Sequence, residues 1–467
     1  MKSQLLKLFL LTLIYTGTFL NSNAQDSYSI EIILEGNTDT TFYLANYYGD
    51  KFYITDTSTA NVGTAIFSGD ERLKEGIFLL ANKKKEKLIE FLVGKEQQFK
   101  IKTGTEKGQP QITVEGSLDN QLFFDHIIFV NEVYAAIQHR NSMIESVENT
   151  EEQKSIYRIQ IDSINKSILD YRTTIIDQNP GIIFAVILSA MQENVIPDEI
   201  KDNQDLAYNY YKTHFWDGFD LSDDRLLITP LLPIKLKSYF DQLVVPEADS
   251  VIKEVDFLLN LTKGNQKMMD YLVWQFVSEY QTPKIMGLDK VFVHVVDNYF
   301  VTKKIENVTP SIEEKLLERA NKMRLSLVGL KAPEMWLVDT TGNFRSFREI
   351  TADYTVLIFW DQTCGHCKKE METLYNLFQT KKFNLGVFAV NSTNDFDGWK
   401  YYINEKKYPW LHVNGTKSMT SDFHDLYDIY SVPVIYLLDK NKTIIGKRIG
   451  AEQIEKLIDN FQQKQIR

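Results

Sequence analysis

The sequence predicts a multidomain protein with an N-terminal antiparallel β domain, an α-helical middle domain and a C-terminal α/β domain. Length is the first reason, since 467 residues exceed what one ordinary core accommodates. The second is a change of hydrophobic period, from alternation to helical spacing at about Leu118 and to short, wholly apolar runs between helices after about residue 326. The third is glycine, which punctuates the early segments and becomes rare between about Leu118 and Leu325. The expected divisions are 1–24, 25–117, 118–325 and 326–467.

Residues 1–24 read as a secretory signal peptide. Lys2 and Lys7 form a basic start, Leu8 to Leu20 are apolar, and Ser22-Asn23-Ala24 supplies small residues before Gln25. The apolar stretch is short for a bilayer span of roughly 20 residues. No cysteine lies beside the cleavage site to carry a lipid. The expectation is a periplasmic protein without stable membrane insertion. Its net charge of −11 gives it no general attraction for nucleic acid or anionic lipid. The run Lys83-Lys84-Lys85-Glu86-Lys87 reads as a solvated hairpin tip.

In 25–117, Tyr28 to Leu34 alternates and Thr41 to Tyr47 is aromatic and β-branched. Ile77 to Ala81, Leu88 to Val93, Phe99 to Thr103 and Ile112 to Glu115 continue the strands, with turns at Gly36, Gly49, Gly63, Gly69 and Gly76. A small sandwich or barrel fits.

In 118–325, the segment Gln153 to Gln178 places Ile156, Ile159, Ile164, Ile168, Tyr171 and Ile175 at helical spacing, and Asn179-Pro180-Gly181 ends it. Further helices are expected at 182–192, 203–214, 233–243, 248–262, 265–280, 289–301 and 311–325. Ile182 to Met191 is apolar but too short to span a membrane. The turn-rich segment from His214 to Pro230 reads as a packed corner between helices, with a partner surface as the alternative.

In 326–467, Met335 to Val338 and Phe344 to Phe347 flank the turn Thr341-Gly342-Asn343 as a hairpin. Val356 to Trp360 is apolar throughout, as a strand covered on both faces must be. A helix through Gln379, a strand at Leu385 to Val390 and a helix at Asp397 to Glu405 follow. A loop at Tyr408-Pro409-Trp410, a hairpin of Val434 to Leu438 with Thr443 to Lys447, and a terminal helix from Glu452 complete the layer.

The chain has two cysteines, both in Cys364-Gly365-His366-Cys367. A disulfide there closes almost no loop and adds little stability, so chemistry is its better explanation. Cys364 falls where a strand gives way to a helix, and the helix N-terminus favours a negative sulfur. Cys364 is therefore the expected nucleophile, and Cys367, one turn on, the thiol that resolves a mixed disulfide. His366, when protonated, would stabilise the Cys364 thiolate and raise the potential of the pair. Structural zinc needs four ligands, and only His412 and His424 could supplement the pair. Covalent haem needs His directly after the second Cys, where Lys368 stands. No cofactor is expected.

Val356-Leu357-Ile358-Phe359-Trp360 leading to Cys364-Gly365-His366-Cys367-Lys368-Lys369-Glu370, with Ser431-Val432-Pro433-Val434, resembles the thioredoxin superfamily. The early hairpin and the long insert before the proline resemble its exported TlpA/ResA-type branch. The resemblance implies a cis Val432–Pro433 peptide facing the Cys pair, with Val432 and Pro433 shaping a substrate groove, while Trp360 is expected to pack near the site with any contact to substrate secondary. Thioredoxin's buried aspartate, six residues before the first Cys, is replaced here by Ile358. Glu370 matches a carboxylate of the ResA-like branch and would handle a proton; a solvent-exposed helix acid is the plain alternative. The upstream regions resemble those of secreted thioredoxin-like proteins of Bacteroides-type bacteria.

The resemblance implies a thiol–disulfide oxidoreductase acting on exported polypeptides and exchanging electrons with an unidentified redox partner, reduction being favoured. Oxidation or isomerisation is the near alternative, because Gly365-His366 matches disulfide isomerases. A thiol peroxidase lacks support, since Asp361 and Leu357 stand where a peroxidase has Thr and Pro. A polypeptide-binding protein with an accessory redox domain is the remaining alternative.

Overall fold

The computed structural model describes residues 27–59, 61–106, 109–146 and 149–466. The expected signal peptide lies outside the described residues. The chain divides into two compact units, residues 1–243 and 244–467.

In the first unit, eight strands run from β1 (Tyr28–Leu34) through β2 (Thr41–Tyr48), β3 (Lys51–Thr59), β4 (Thr64–Gly69), β5 (Gly76–Asn82), β6 (Lys87–Val93) and β7 (Gln98–Glu106) to β8 (Gln109–Glu115). They form two four-stranded sheets, ordered β4-β1-β7-β8 and β3-β2-β5-β6. The pairings are antiparallel except that of β1 with β7, which is parallel. Ile30, Ile32, Phe42, Leu44, Phe78, Leu80, Phe91, Phe99 and Ile101 form their shared core. These residues follow the two-residue repeat of the strands.

Two strands, β3 and β4, have no counterpart in the sequence reading. β3 is an edge strand whose Phe52, Tyr53 and Ile54 are exposed, so it lacks the in/out alternation that marks a half-buried strand. Helices α1 (Leu118–Glu145), α2 (Glu151–Gln178), α3 (Ile183–Ala190), α4 (Gln204–His214) and α5 (Leu231–Leu243) complete this unit. Ser117 caps α1, and Thr150 with Gln153 forms a capping box at α2.

The second unit opens with α6 (Ala248–Leu261), α7 (Gln266–Tyr280), α8 (Asp289–Val295) and α9 (Pro310–Leu325). The single helix expected at 289–301 is α8 continued by a π turn at Val296–Phe300. A seven-stranded sheet follows, built from β9 (Leu337–Asp339), β10 (Phe344–Arg345), β11 (Tyr354–Trp360), β12 (Leu385–Asn391), β13 (Leu411–Ser418), β14 (Val434–Leu438) and β15 (Ile444–Lys447). Its order is β10-β9-β13-β12-β11-β14-β15. β11 is an inner strand, parallel to β12 and antiparallel to β14, and every residue in it is buried.

Successive residues of β11 enter opposite cores. Val356, Ile358 and Trp360 pack with α10 (Gly365–Gln379), α11 (Phe396–Lys406) and α13 (Ile454–Ile466). Leu357 and Phe359 pack on the other face with Phe347, Phe388, Tyr427 and Tyr436, beside the short α12 (Phe423–Leu426). β13 is also absent from the sequence reading. Its His412 and Asn414 are buried polar residues, and they interrupt the apolar run that betrays β11 and β12.

Candidate functional site

The last residue of β11 is Trp360, and the chain then turns sharply. Asp361 Oδ1 accepts the Thr363 backbone N–H at 2.6 Å and its hydroxyl at 2.8 Å. This aspartate-driven turn delivers Cys364 to the N-cap of α10 with extended backbone angles, φ −79° and ψ 119°. Cys364 Sγ accepts the Cys367 backbone N–H at 3.2 Å, in the place a serine or aspartate cap occupies elsewhere. The same sulfur lies 4.0 Å from the Val432 carbonyl oxygen.

The two thiols occupy different surroundings. Cys364 is half-buried, whereas Cys367 is fully buried, and both are free thiols. Cys367 packs in the core that holds Trp360, Met371 and Leu374. Burial, then the contact with Cys364, pushes its thiol up to about 12; a backbone hydrogen bond at Asp361 opposes the shift, and the charges of Cys364 and Asp361 add to it. Ile358 is buried in that same core, so an aliphatic side chain stands where thioredoxin has an acid.

Val432–Pro433 is a cis peptide. Both residues are half-buried, and Pro433 leads directly into β14. His366 is exposed on the first turn of α10. Glu370 is half-buried, and its Oε2 accepts the Ala451 backbone N–H at 2.6 Å, tying α10 to the turn that starts the terminal helix. Trp360 is fully buried, against Tyr402 at a centroid distance of 5.5 Å. It packs beneath the site, where a surface groove does not reach. His412 is buried, with Nε2 3.3 Å from the Tyr408 carbonyl, and His424 pairs with Asp422 at 2.7 Å.

A buried amide network beside the turn escaped sequence reasoning. Asn391 Nδ2 donates to Gln362 Oε1 at 2.7 Å, and Thr393 Oγ1 donates to the same oxygen at 3.1 Å. Asn414 Nδ2 donates to the Thr393 carbonyl at 2.9 Å. These contacts fix the turn after β11 to the end of β12 and the middle of β13, where Asn391 and Asn414 lie in register. Its one sequence signal is a polar residue closing an otherwise apolar strand, as Asn391 does.

A model described as Thioredoxin-like matches residues 352–444, and a Domain of unknown function (DUF5106) matches 138–323. The thiol-disulfide oxidoreductase ResA of Bacillus cereus is 24% identical over 140 residues, covering 29% of this chain and 78% of that protein. Among solved structures, a domain of a possible thiol-disulfide isomerase from Cytophaga hutchinsonii is 41% identical, covers 30% of this chain and 95% of that one, and has a TM-score of 0.28. A thioredoxin-like protein from Bacteroides caccae is 19% identical, covers 57% of this chain and 98% of that one, and has a TM-score of 0.45. The sheet order and the strand-to-helix turn agree with the Thioredoxin-like and ResA matches: the chain is a TlpA/ResA-like member of the thioredoxin superfamily and an oxidoreductase of the thiol–disulfide class.

Proposed function

We propose that this protein exchanges disulfides with exported polypeptides through Cys364 and Cys367, in the periplasm and in the reducing direction. The observation that carries the reading is the asymmetry of the pair, with an accessible sulfur at a helix N-cap and a buried thiol one turn behind it. Cys364, as thiolate, attacks one sulfur of a client disulfide. A mixed disulfide forms and one client thiolate leaves. Cys367 then loses its proton and attacks Cys364, releasing the second client thiolate and leaving a Cys364–Cys367 disulfide. The client gains two electrons, and a dithiol reductant must restore the pair.

Burial of Cys367 supports this order of attack. A thiol pushed up to about 12 stays protonated and is held until the mixed disulfide forms beside it. Its proton needs an acceptor. Glu370 is one turn away with one oxygen committed to Ala451, and Asp361 lies close enough for its charge to raise the Cys367 thiol. Glu370 takes the role in this reading, with Val432 and Pro433 lining the client groove and the exposed His366 tuning the pair. No helix among the described residues is long and apolar enough to cross a membrane.

The test uses the full chain. Wild type should reduce insulin with a dithiol donor well above the donor alone, and Cys367→Ser should accumulate covalent complexes with exported proteins through Cys364. Insulin reduction no faster than the free thiol, together with no trapped partner, overturns the proposal. A pair poised near disulfide isomerases in equilibrium with glutathione would reverse the direction but keep the chemistry.

A further inference from the structure

The redox layer and the helices preceding it meet at the loop that carries Pro433. Asp428, buried and with a left-handed φ of 53°, sits between two guanidinium groups. Arg319 of α9 reaches its Oδ1 at 2.9 Å, and Arg448 reaches its Oδ2 at 2.9 Å and also donates to its carbonyl. The Arg319 guanidinium also lies over the ring of Tyr430, 4.3 Å from its centroid. Lys322, one turn from Arg319, binds Asp425 at 3.0 Å. Residues 425–430 are therefore held from the side by α9, and that hold ends two residues before Val432.

We propose that α9 is part of the client-binding face: Arg319 fixes the ring of Tyr430 beside Val432, and Tyr430 receives an apolar side chain of the polypeptide whose disulfide engages Cys364. This rests on the exchange reading above and assigns a role to the region matched by the domain of unknown function, which includes Arg319.

Three observations choose this occupant. Tyr430 remains 61% exposed although one ring face is covered. Two residues of extended chain span about 7 Å, so a client passing Val432, whose carbonyl is 4.0 Å from the Cys364 sulfur, meets Tyr430 within a residue or two of its own cysteine. The local charge is balanced, since Arg319 is matched by Asp428 and Lys322 by Glu318 and Asp425. What is offered is an aromatic surface already ordered by a cation–π contact, which lowers the entropy lost on binding.

Two cystine peptides, differing only in Leu or Asp beside the cysteine, test this with the full chain. Wild type should favour the Leu peptide about fivefold in kcat/KM, through KM. Arg319→Gln and Tyr430→Ala should each narrow that preference to within twofold, and Tyr430→Phe should keep it. Tyr430 is exposed, so its variants report even where Arg319→Gln loosens Asp428. An unaltered preference in Tyr430→Ala overturns the proposal. So does a parallel loss on the Leu peptide, the Asp peptide and glutathione disulfide, which indicates a merely structural role. A wild-type chain that exchanges with no disulfide at all removes the redox reading itself, and this one with it.

Discussion

Cys364 Sγ accepts the backbone N–H of Cys367 at 3.2 Å, while the side chain of Cys367 is sealed in the core beneath it. One sulfur is presented and the other withheld. Iodoacetamide should therefore modify Cys364 at least tenfold faster than Cys367 in the reduced folded chain, as read by mass spectrometry of quenched time points. Equal rates in native buffer would show that Cys367 is open to solvent and that the order of attack is not set by burial.

The withheld thiol also makes stability depend on pH. Its folded value is raised from 9.0 to about 12, so the folded state keeps a proton that the unfolded chain releases first. That contribution is complete below about pH 9 and is lost as pH rises toward 12. The slope for one such group is at most about 1.4 kcal/mol per pH unit. Urea unfolding of the reduced chain from pH 8 to 10.5 should show stability falling more steeply for wild type than for Cys367→Ser. The tyrosines titrate in both proteins and cancel in the difference. Matching slopes would mean that the thiol is not held protonated.

In the proposed exchange Glu370 and Asp361 are the two candidate acceptors for the proton of Cys367, and their contacts separate them. Glu370 also anchors Ala451, so Glu370→Gln keeps a carbonyl oxygen for that N–H but loses the base. Its expected effect is a slower resolving step, by about tenfold to a hundredfold, with the first attack by Cys364 retained. Stopped-flow decay of a preformed mixed disulfide between pH 6 and 9 measures this directly. If Asp361→Asn slows the step and Glu370→Gln does not, Asp361 is the acceptor. The control is that Asn at 361 can still accept the Thr363 N–H that shapes the turn.

The site was legible to the extent that its signals were local. The apolar run ending at Trp360, the Cys-x-x-Cys after it and the Val-Pro before β14 lie in short windows, and the fold brings the Cys364 sulfur to 4.0 Å from the Val432 carbonyl. What the sequence concealed was long-range. Gln362 meets Asn391 and Thr393 through contacts some thirty residues apart, and Arg319 meets Asp428 across more than a hundred. Periodicity carries no information about such pairs. Edge strand β3 was missed for another reason, since its exposed apolar residues create no alternation. Trp360, expected chiefly to pack near the site with substrate contact secondary, is the last residue of a strand covered on both faces and is fully buried in the core.

Lys447 and Asp289 give the last prediction. Their side chains are almost wholly buried, 3% and 9% exposed, with Nζ 2.5 Å from Oδ2. The pair joins β15 to the first turn of α8, and burial pushes the Lys447 ammonium below its ordinary value despite the carboxylate. Removing one partner strands the other charge in a poorly solvated place, which typically costs about 3–5 kcal/mol. Lys447→Met should fall in that range by urea unfolding. Lys447→Met combined with Asp289→Leu should cost clearly less than the single change, because no charge is then left unpaired. The double variant should also show whether α8 and the redox sheet unfold together. Coincident fluorescence and circular-dichroism transitions in wild type that separate in the double variant would identify the ion pair as their coupling. A single variant costing under about 1 kcal/mol would instead mean that water reaches Asp289 when Lys447 is gone, and that the pair contributes little to holding α8 on the sheet.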